Sequence, residues 1–403
     1  MNIGLPEINC PDLAGSSSIK EVTILGSTGS IGCNTLDLIR RDKERYNVVA
    51  LTAYQNVKKL AAQAIEFNAK MAVIADEALF EDLQAALQGT EIKAAAGEIA
   101  LTEAASMPAE WVMSSIVGAA GLKPTLTAIR RGATIALANK ECLVCAGEFM
   151  MDQVKEFGAT LLPIDSEHNA IFQIFDFDNP TTVEKITLTA SGGPFLQTNI
   201  DEMKLIKPEQ AVKHPNWSMG AKISIDSATM MNKGLELIEA YYLFPVKKEQ
   251  LDIIVHPESI IHSMVTYMDG SVLAQLGSPD MRIPISHGLA WPKRMKTPAK
   301  KLDLTDIGTL HFFKPDEERF PALNITREVL QKGGSAPTIL NASNEVAVYA
   351  FLEGKIGFLD IAKIVEETLN KIDFHNMTCL DDVHDVDEKA RRVSSELVTG
   401  IIK

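Results

Sequence analysis

The sequence predicts an α/β protein in three parts: an N-terminal open parallel sheet, a central α+β domain and a C-terminal α-helical bundle. Three observations carry this. Apolar strands alternate with helix-period segments up to about residue 164, and a glycine triplet closes the first strand. After Asp165 the texture changes, first to strands at hairpin spacing around one long helix, then to amphipathic helices alone. The expected organisation is a flexible leader over 1–20, the sheet domain over 21–164, a central domain over 165–291, a linker over 292–315 and the bundle over 316–403.

Residues 20–26 read as a buried strand ending in glycine, and Ile31 to Arg41 as a helix with basic residues in its last turn. Tyr46 to Ala53 is a second strand and Val57 to Phe67 a second helix. Met71 to Ala75, Glu110 to Met113 and Thr134 to Ala138 give further strands, with a Gly-rich turn and a helix from Pro124 to Arg131 between the last two. The apolar run Ala159 to Ile164 precedes Asp165-Ser166-Glu167-His168. In the central part, Glu184 to Thr189 and Leu251 to Val255 look like strands. Ser259 to Tyr267 and Ser271 to Leu276 alternate around Asp269-Gly270, a hairpin signal. One long helix is expected from Ser227 to Leu243, with Asp226-Ser227 as its N-cap. Residues 292–315 are rich in Lys, Pro and Asp without clear period. Helices follow near 320–332, 341–353, 358–371 and 383–400, interrupted by Gly333-Gly334, Gly354 and Asn376.

The bulk properties restrict function. The chain has 403 residues, 46% hydrophobic and 23% charged, with ample core-forming material. Its net charge of −14 argues against nucleic acid or an anionic membrane as partner. An anionic substrate therefore needs a local cluster of donors. No apolar run approaches the roughly 18 residues of a membrane span, and residues 1–20 lack the features of a signal or transit peptide. The expected location is cytoplasmic. Five cysteines (Cys10, Cys33, Cys142, Cys145, Cys379) make no disulfide framework, and Cys142-Leu-Val-Cys145 lacks the further ligands that zinc requires.

Gly26-Ser-Thr-Gly29-Ser-Ile-Gly32 lies between a strand and a helix at the first βα turn of the alternating pattern, the context in which such a loop cradles a pyrophosphate. The first domain is accordingly Rossmann-like. Its second strand ends Thr52-Ala53-Tyr54-Gln55-Asn56, without the acid that holds the ribose 2′-hydroxyl of NAD, and Lys58-Lys59 follow. NADP is favoured. Asp165 and Glu167, one residue apart at a strand end, would point to the same side and suit a hard divalent cation. Asn139-Lys140-Glu141 follows the fifth strand and faces the nicotinamide end of the groove. Ser191-Gly192-Gly193-Pro194 can form an anion nest, and His214-Pro-Asn-Trp217-Ser-Met-Gly220 a lid. Asn232 and Glu236 share a helix face beside Lys233, where Glu236 can add a third metal ligand and the serines, Asn232 and Lys233 a phosphate site. His256 and His262 fit no metal-ligand spacing and are read as packing residues.

Taken together, these blocks, with Ala138-Asn-Lys-Glu141, Asp165-Ser-Glu-His-Asn-Ala-Ile171 and Ser227-Ala-Thr-Met-Met-Asn-Lys-Gly-Leu-Glu236, resemble the 1-deoxy-D-xylulose 5-phosphate reductoisomerase family from about Val22 to the C-terminus. The resemblance implies rearrangement of 1-deoxy-D-xylulose 5-phosphate and NADPH-linked reduction to 2-C-methyl-D-erythritol 4-phosphate. This is the committed step of the non-mevalonate isoprenoid (MEP) route and is inhibited by fosmidomycin. It makes 21–164 the NADPH-binding domain and 165–291 the catalytic and dimerisation domain of a homodimer. By similarity, Thr28, Gly29, Ser30, Ile31, Asn56, Asn139, Glu141 and Gly220 contact NADPH. Asp165, Glu167 and Glu236 hold Mg²⁺, Mn²⁺ or Co²⁺. Lys140, Ser166, Glu167, Ser191, His214, Ser227, Asn232, Lys233 and Glu236 surround the phosphosugar, with Lys140, Glu167, His214 and Glu236 catalytic. Tyr54-Gln55 departs from the Gly-Lys of many members, and Cys142 stands where serine is common.

Overall fold

The computed structural model describes residues 19–217 and 219–402; residues 1–18 of the leader expected over 1–20 lie outside the described residues, and Lys20 already belongs to the first strand. The chain divides into two compact units, each discontinuous in sequence. The first runs up to Cys142 and adds Met150–Asn169 and Asp280–Ala299; the second comprises Leu143–Phe149, Ala170–Pro279 and the chain from Lys300 onward.

The first unit is built on seven strands: β1 (Lys20–Leu25), β2 (Tyr46–Ala53), β3 (Met71–Ile74), β4 (Lys93–Ala96), β5 (Trp111–Ser114), β6 (Thr134–Leu137) and β7 (Thr160–Pro163). Their order is β4-β3-β2-β1-β5-β6-β7, and every neighbouring pair is parallel. β3 and β5 are buried along their whole length, as expected for strands covered by helices on both faces. The chain leaves β1 toward β2, β3 and β4, then returns to β5 on the other side. That reversal opens a crevice beyond the carboxyl ends of β1 and β5, the place where such sheets bind ligands.

One element of this unit comes from far along the chain. The helix Arg282–Ala290, which the sequence assigns to the central domain, buries Ile285 and Leu289 in the same core as β1 and β5. Trp111 Nε1 donates to Gly288 O at 3.0 Å, which satisfies the indole's polar handle inside an apolar core. Gly288 lets the two elements pack closely, since a Cβ there would stand 2.6 Å from Ile164 Cδ1 and make that side chain shift.

The second unit holds a four-stranded sheet of β8 (Val183–Ala190), β9 (Leu251–Val255), β10 (Ile261–Tyr267) and β11 (Val272–Leu276), in the order β11-β10-β8-β9. β10 is antiparallel to β8 and β11, whereas β8 and β9 are parallel. The expected hairpin is present. Within the expected linker lie a short helix, Leu304–Ile307, and a bridge from Phe313 to Val255. The helices Ala322–Lys332, Ala336–Leu352, Asp360–Lys371 and Leu380–Ile402 follow. Ala336–Leu352 is buried nearly all round, and its Glu345 is paired with Arg391 at 2.6 Å.

Two local readings are corrected. The single helix expected from Ser227 to Leu243 is two helices, Ala221–Ala228 and Met231–Leu243, broken where Met230 adopts a left-handed conformation at φ 63°. Asp226 and Ser227 therefore lie in a last turn and cap no helix start. Asp165 and Glu167 also leave the strand: β7 ends at Pro163, and Ser166–Ile174 is a helix. No helix of the described residues is long and apolar enough to cross a membrane.

Candidate functional site

In the first unit the glycine turn is built by close approaches that only glycine permits. Gly26 has φ +89°, and a Cβ on it would lie 2.7 Å from Ser115 O. A Cβ on Gly32 would lie 2.5 Å from Ser27 Cα, so the helix Ser30–Arg40 starts hard against the end of β1. The turn is fixed to β2: Gly26 N donates to Thr52 Oγ1 at 2.9 Å and Ser27 N to Thr52 O at 2.7 Å. Gln63 braces it from behind, through Ser27 Oγ at 2.8 Å and Ser27 O at 3.0 Å. Thr28, Gly29, Ser30 and Ile31 are thus held at a helix N-terminus, whose amides and partial positive charge suit a pyrophosphate. Asn56 caps the helix Val57–Glu66 by accepting Lys59 N–H at 3.1 Å.

Asn139 ends β6's exit and precedes the helix Lys140–Glu156. Its Nδ2 donates to Gly118 O at 2.9 Å and also to Ile116 O, while its Oδ1 is buried without a hydrogen-bond partner among the described residues. A buried orphan acceptor at the mouth of a nucleotide crevice fits an amide-bearing ligand such as nicotinamide. Glu141, two residues further on, is buried.

Lys140 and the Asp165 segment meet in the same unit. Lys140 Nζ lies 2.8 Å from Asp165 Oδ2, both side chains nearly nine-tenths buried. Asp165 Oδ1 accepts Glu167 N–H at 3.1 Å, so Asp165 caps the helix and Glu167 sits in its first turn. The two carboxylates are neighbours for this reason, and not through strand alternation; one oxygen of each lies within 4.8 Å of the other. Ser166 Oγ donates to Glu167 Oε2. This all-oxygen pair suits Mg²⁺ or Mn²⁺ better than zinc.

Sequence reasoning missed the support beneath it. Asn169 N–H bonds Asp165 O at 2.9 Å, while Asn169 Nδ2 bonds Pro163 O at 2.9 Å and His287 Nδ1 at 3.1 Å. Burial first, then the Arg294 charge, pushes His287 down to about 4. Its imidazole is therefore neutral at ordinary pH and accepts the amide proton. A contact across 118 residues leaves no local signal.

In the second unit, Gly192 and Gly193 follow Ser191 with φ +83° and +65°. Gly193 N–H donates to Ser191 Oγ at 3.1 Å, and a Cβ on Gly193 would lie 2.8 Å from Ser227 O, which places the Ser191 turn against the backbone of Ser227. His214 Nδ1 accepts two backbone N–H groups, from Asn216 at 3.1 Å and Trp217 at 3.0 Å. The ring proton therefore sits on Nε2, which donates to Ser191 Oγ at 2.9 Å. Asn216 Nδ2 anchors the same turn to Pro257 O at 2.6 Å and Ser259 Oγ at 3.1 Å. Burial pushes the His214 imidazole below its ordinary value. Gly220 stands exposed as the N-cap of the helix Ala221–Ala228.

The next helix carries Asn232 and Lys233 in its first turn and Glu236 in its second. Glu236 is 1% exposed and accepts from both Asn232 Nδ2 and Lys233 Nζ. A buried carboxylate needs such compensation. Behind Ser227, Asp226 is buried between Lys222 at 2.8 Å and Asn344 at 2.8 Å, a pairing of helices that the sequence did not announce. The expected packing role of His256 is seen: Nδ1 meets His311 O at 2.9 Å, and Nε2 accepts Ile260 N–H at 3.2 Å. Both ring nitrogens are used by the protein. Cys142 and Cys145 are buried.

Three family models match the chain. They are described as 1-deoxy-D-xylulose 5-phosphate reductoisomerase over residues 22–147, its C-terminal domain over 161–244, and DXP reductoisomerase C-terminal domain over 276–393. A 1-deoxy-D-xylulose 5-phosphate reductoisomerase of Zymomonas mobilis is 59% identical over 96% of this chain and 99% of its own length. One from Rhodospirillum centenum is 58% identical over 96% of each. Among solved structures, the Zymomonas mobilis reductoisomerase in complex with NADPH superposes with a TM-score of 0.90 at 57% identity, covering 94% of this chain and 98% of that one. A DOX-P reductoisomerase in complex with NADPH, fosmidomycin and magnesium does so with a TM-score of 0.90 at 43% identity, covering 94% and 98%.

Proposed function

The chain belongs to the 1-deoxy-D-xylulose 5-phosphate reductoisomerase family, and from that premise we propose how its own residues carry the family's reaction. The reaction is metal-dependent, NADPH-linked isomerisation and reduction of 1-deoxy-D-xylulose 5-phosphate to 2-C-methyl-D-erythritol 4-phosphate, the committed step of the MEP pathway. The observation that carries the proposal is the buried Lys140–Asp165 pair beside Glu167, at the exit of the Rossmann-like sheet.

Thr28, Gly29, Ser30, Ile31 and Asn56 bind the diphosphate and adenosine part of NADPH, and Asn139, Glu141 and Gly220 its nicotinamide part. Asp165, Glu167 and Glu236 hold one Mg²⁺, Mn²⁺ or Co²⁺. When bound, the metal supplies Lewis acidity for the substrate's carbonyl and hydroxyl oxygens and NADPH supplies hydride. Ser191, Ser227, Asn232 and Lys233 grip the substrate phosphate; this remote binding energy orders the His214–Trp217 turn over the sugar. Ser166 and Glu167 position the substrate hydroxyls. Lys140 donates a proton or hydrogen bond to the alkoxide that develops as one carbon–carbon bond breaks and another forms. The covering turn keeps water from the aldehyde until it is reduced. The enzyme works as a cytoplasmic homodimer joined through the central domain. In support, β11 is an edge strand, and the exposed Met268, Val272 and Leu273 of its hairpin are apolar.

The His214 tautomer gives a pH prediction. Its folded-state value lies below the ordinary 6.5, so the turn's contribution is complete above that value and is lost as pH falls through it. Protonating Nδ1 displaces the Asn216 and Trp217 N–H groups. Substrate KM is expected to change little through His214 between about 8 and 6.5 and to rise several-fold as pH falls further, toward about 5. His214→Gln is expected to show only the shallower dependence contributed by the substrate phosphate; an unchanged profile in that variant contradicts the assignment.

The deciding experiment is product analysis with NADPH, Mg²⁺ and 1-deoxy-D-xylulose 5-phosphate. A branched methylerythritol skeleton is expected, and EDTA is expected to stop NADPH oxidation. A linear reduced sugar phosphate, or turnover indifferent to EDTA, would overturn the proposal.

A further inference from the structure

We infer that Lys59 and Tyr54 set this chain's choice of dinucleotide, the Lys59 ammonium taking the 2′-phosphate and the Tyr54 ring stacking on adenine. The inference rests on the NADPH-linked reading above and deepens it.

The geometry lies within the first unit. β2 ends at Ala53, and Tyr54 follows with 69% of its surface exposed at the carboxyl edge of the sheet. Its backbone is fixed, because Asp76 N–H bonds Tyr54 O at 3.1 Å and Ala75 N–H bonds Ala53 O at 2.8 Å. A large aromatic face is thus held open on a rigid stem, beside a crevice that takes a planar base.

Lys59 sits in the first turn of the helix Val57–Glu66, with its own N–H capped by Asn56 Oδ1. Its side chain reaches back to the glycine turn, where Nζ donates to Thr28 O at 3.0 Å. The cation stands where the glycine turn meets the end of β2. In NAD-binding sheets an acid occupies that place to bind the ribose 2′-hydroxyl. Asp76, just beyond β3, is held locally: Oδ2 accepts Gln55 Nε2 and Oδ1 accepts Ala78 N–H, both at 3.1 Å. An exposed ammonium steered toward the glycine turn by a carbonyl gains a charge-assisted bond when the phosphate arrives. Lys58 is exposed and makes no hydrogen bond or ion pair among the described residues, so it serves as the control.

The test is titration of the full chain with NADPH and with NADH, followed by quenching of tryptophan fluorescence, with a thermal melt on each variant. Lys59→Met is expected to weaken NADPH by at least about tenfold, the loss of one charge-assisted bond, while NADH changes by less than about twofold. Lys59→Arg is expected to retain the preference, and Lys58→Met to leave it unchanged. Tyr54→Ala is expected to weaken both dinucleotides by the same factor. Equal loss of NADPH and NADH in Lys59→Met, no loss of either, or a preference that vanishes in Lys58→Met would overturn the Lys59 assignment. Selective loss of NADPH in Tyr54→Ala would overturn the stacking role. If the wild-type chain bound neither dinucleotide, the NADPH-linked reading itself would fail, an outcome distinct from all of these.

Discussion

Replacing Glu236 by glutamine is expected to abolish metal-dependent turnover while leaving NADPH binding intact. Glutamine keeps the size and one acceptor oxygen but removes the charge that a hard cation requires. The loss should exceed about 10³-fold in kcat, equivalent to the several kcal/mol of transition-state stabilisation that a Lewis acid provides. Glu236 is buried under Asn232 and Lys233, so the substitution also leaves an ammonium without its carboxylate. That costs up to about 3–5 kcal/mol of stability. The activity loss must therefore be read on protein that still melts cooperatively and still binds NADPH. Folded protein with near wild-type turnover contradicts the role of Glu236. Lost NADPH binding contradicts the separation of the metal ligands from the NADPH contacts.

Lys140→Met tests the other half of the chemistry. Loss of one preorganised donor to a developing oxyanion costs about 10²–10³ in kcat. Lys140 Nζ sits 2.8 Å from Asp165 Oδ2, which yields a second expectation of opposite sign. The ammonium competes with a cation for that carboxylate, so its removal should leave Mn²⁺ affinity unchanged or tighter while turnover collapses. A variant with weakened metal binding and normal kcat at saturating metal would show that Lys140 only shapes the carboxylate.

The parts of this molecule that were legible in its sequence are those whose signals are local. The glycine turn announces itself because the first strand and the helix after it are contiguous and each close approach demands a missing Cβ. The apolar strands β1, β2 and β3 are visible by composition alone. β4, Lys-Ala-Ala-Ala, was not, because alanines carry neither a strand preference nor a period. Helix Ser166–Ile174 was missed because Asp-Ser-Glu reads equally as a strand exit and as a cap. The break at Met230 has no glycine or proline to signal it; a left-handed methionine is imposed by tertiary packing against helical periodicity. Arg282–Ala290 returns to the first unit from far along the chain, and its Gly288 and His287 contacts have no sequence neighbour to betray them.

The candidate site divides in the same way. Residues in compact blocks, such as Asn139-Lys140-Glu141 and Asn232 through Glu236, were readable as polar constellations. The supporting contacts, Asn169 to His287, Asn344 to Asp226 and Asn216 to Pro257, join residues far apart in the chain, so neither end signals the other locally. Such residues position and shield the reacting groups, and only the fold reveals them.

Anomalous diffraction from crystals soaked in Mn²⁺ tests the central claim most directly. The account predicts one Mn²⁺ per chain, ligated by carboxylate oxygens of Asp165, Glu167 and Glu236. A metal bound away from these carboxylates, or no bound metal in protein that turns over only with Mn²⁺, would contradict it.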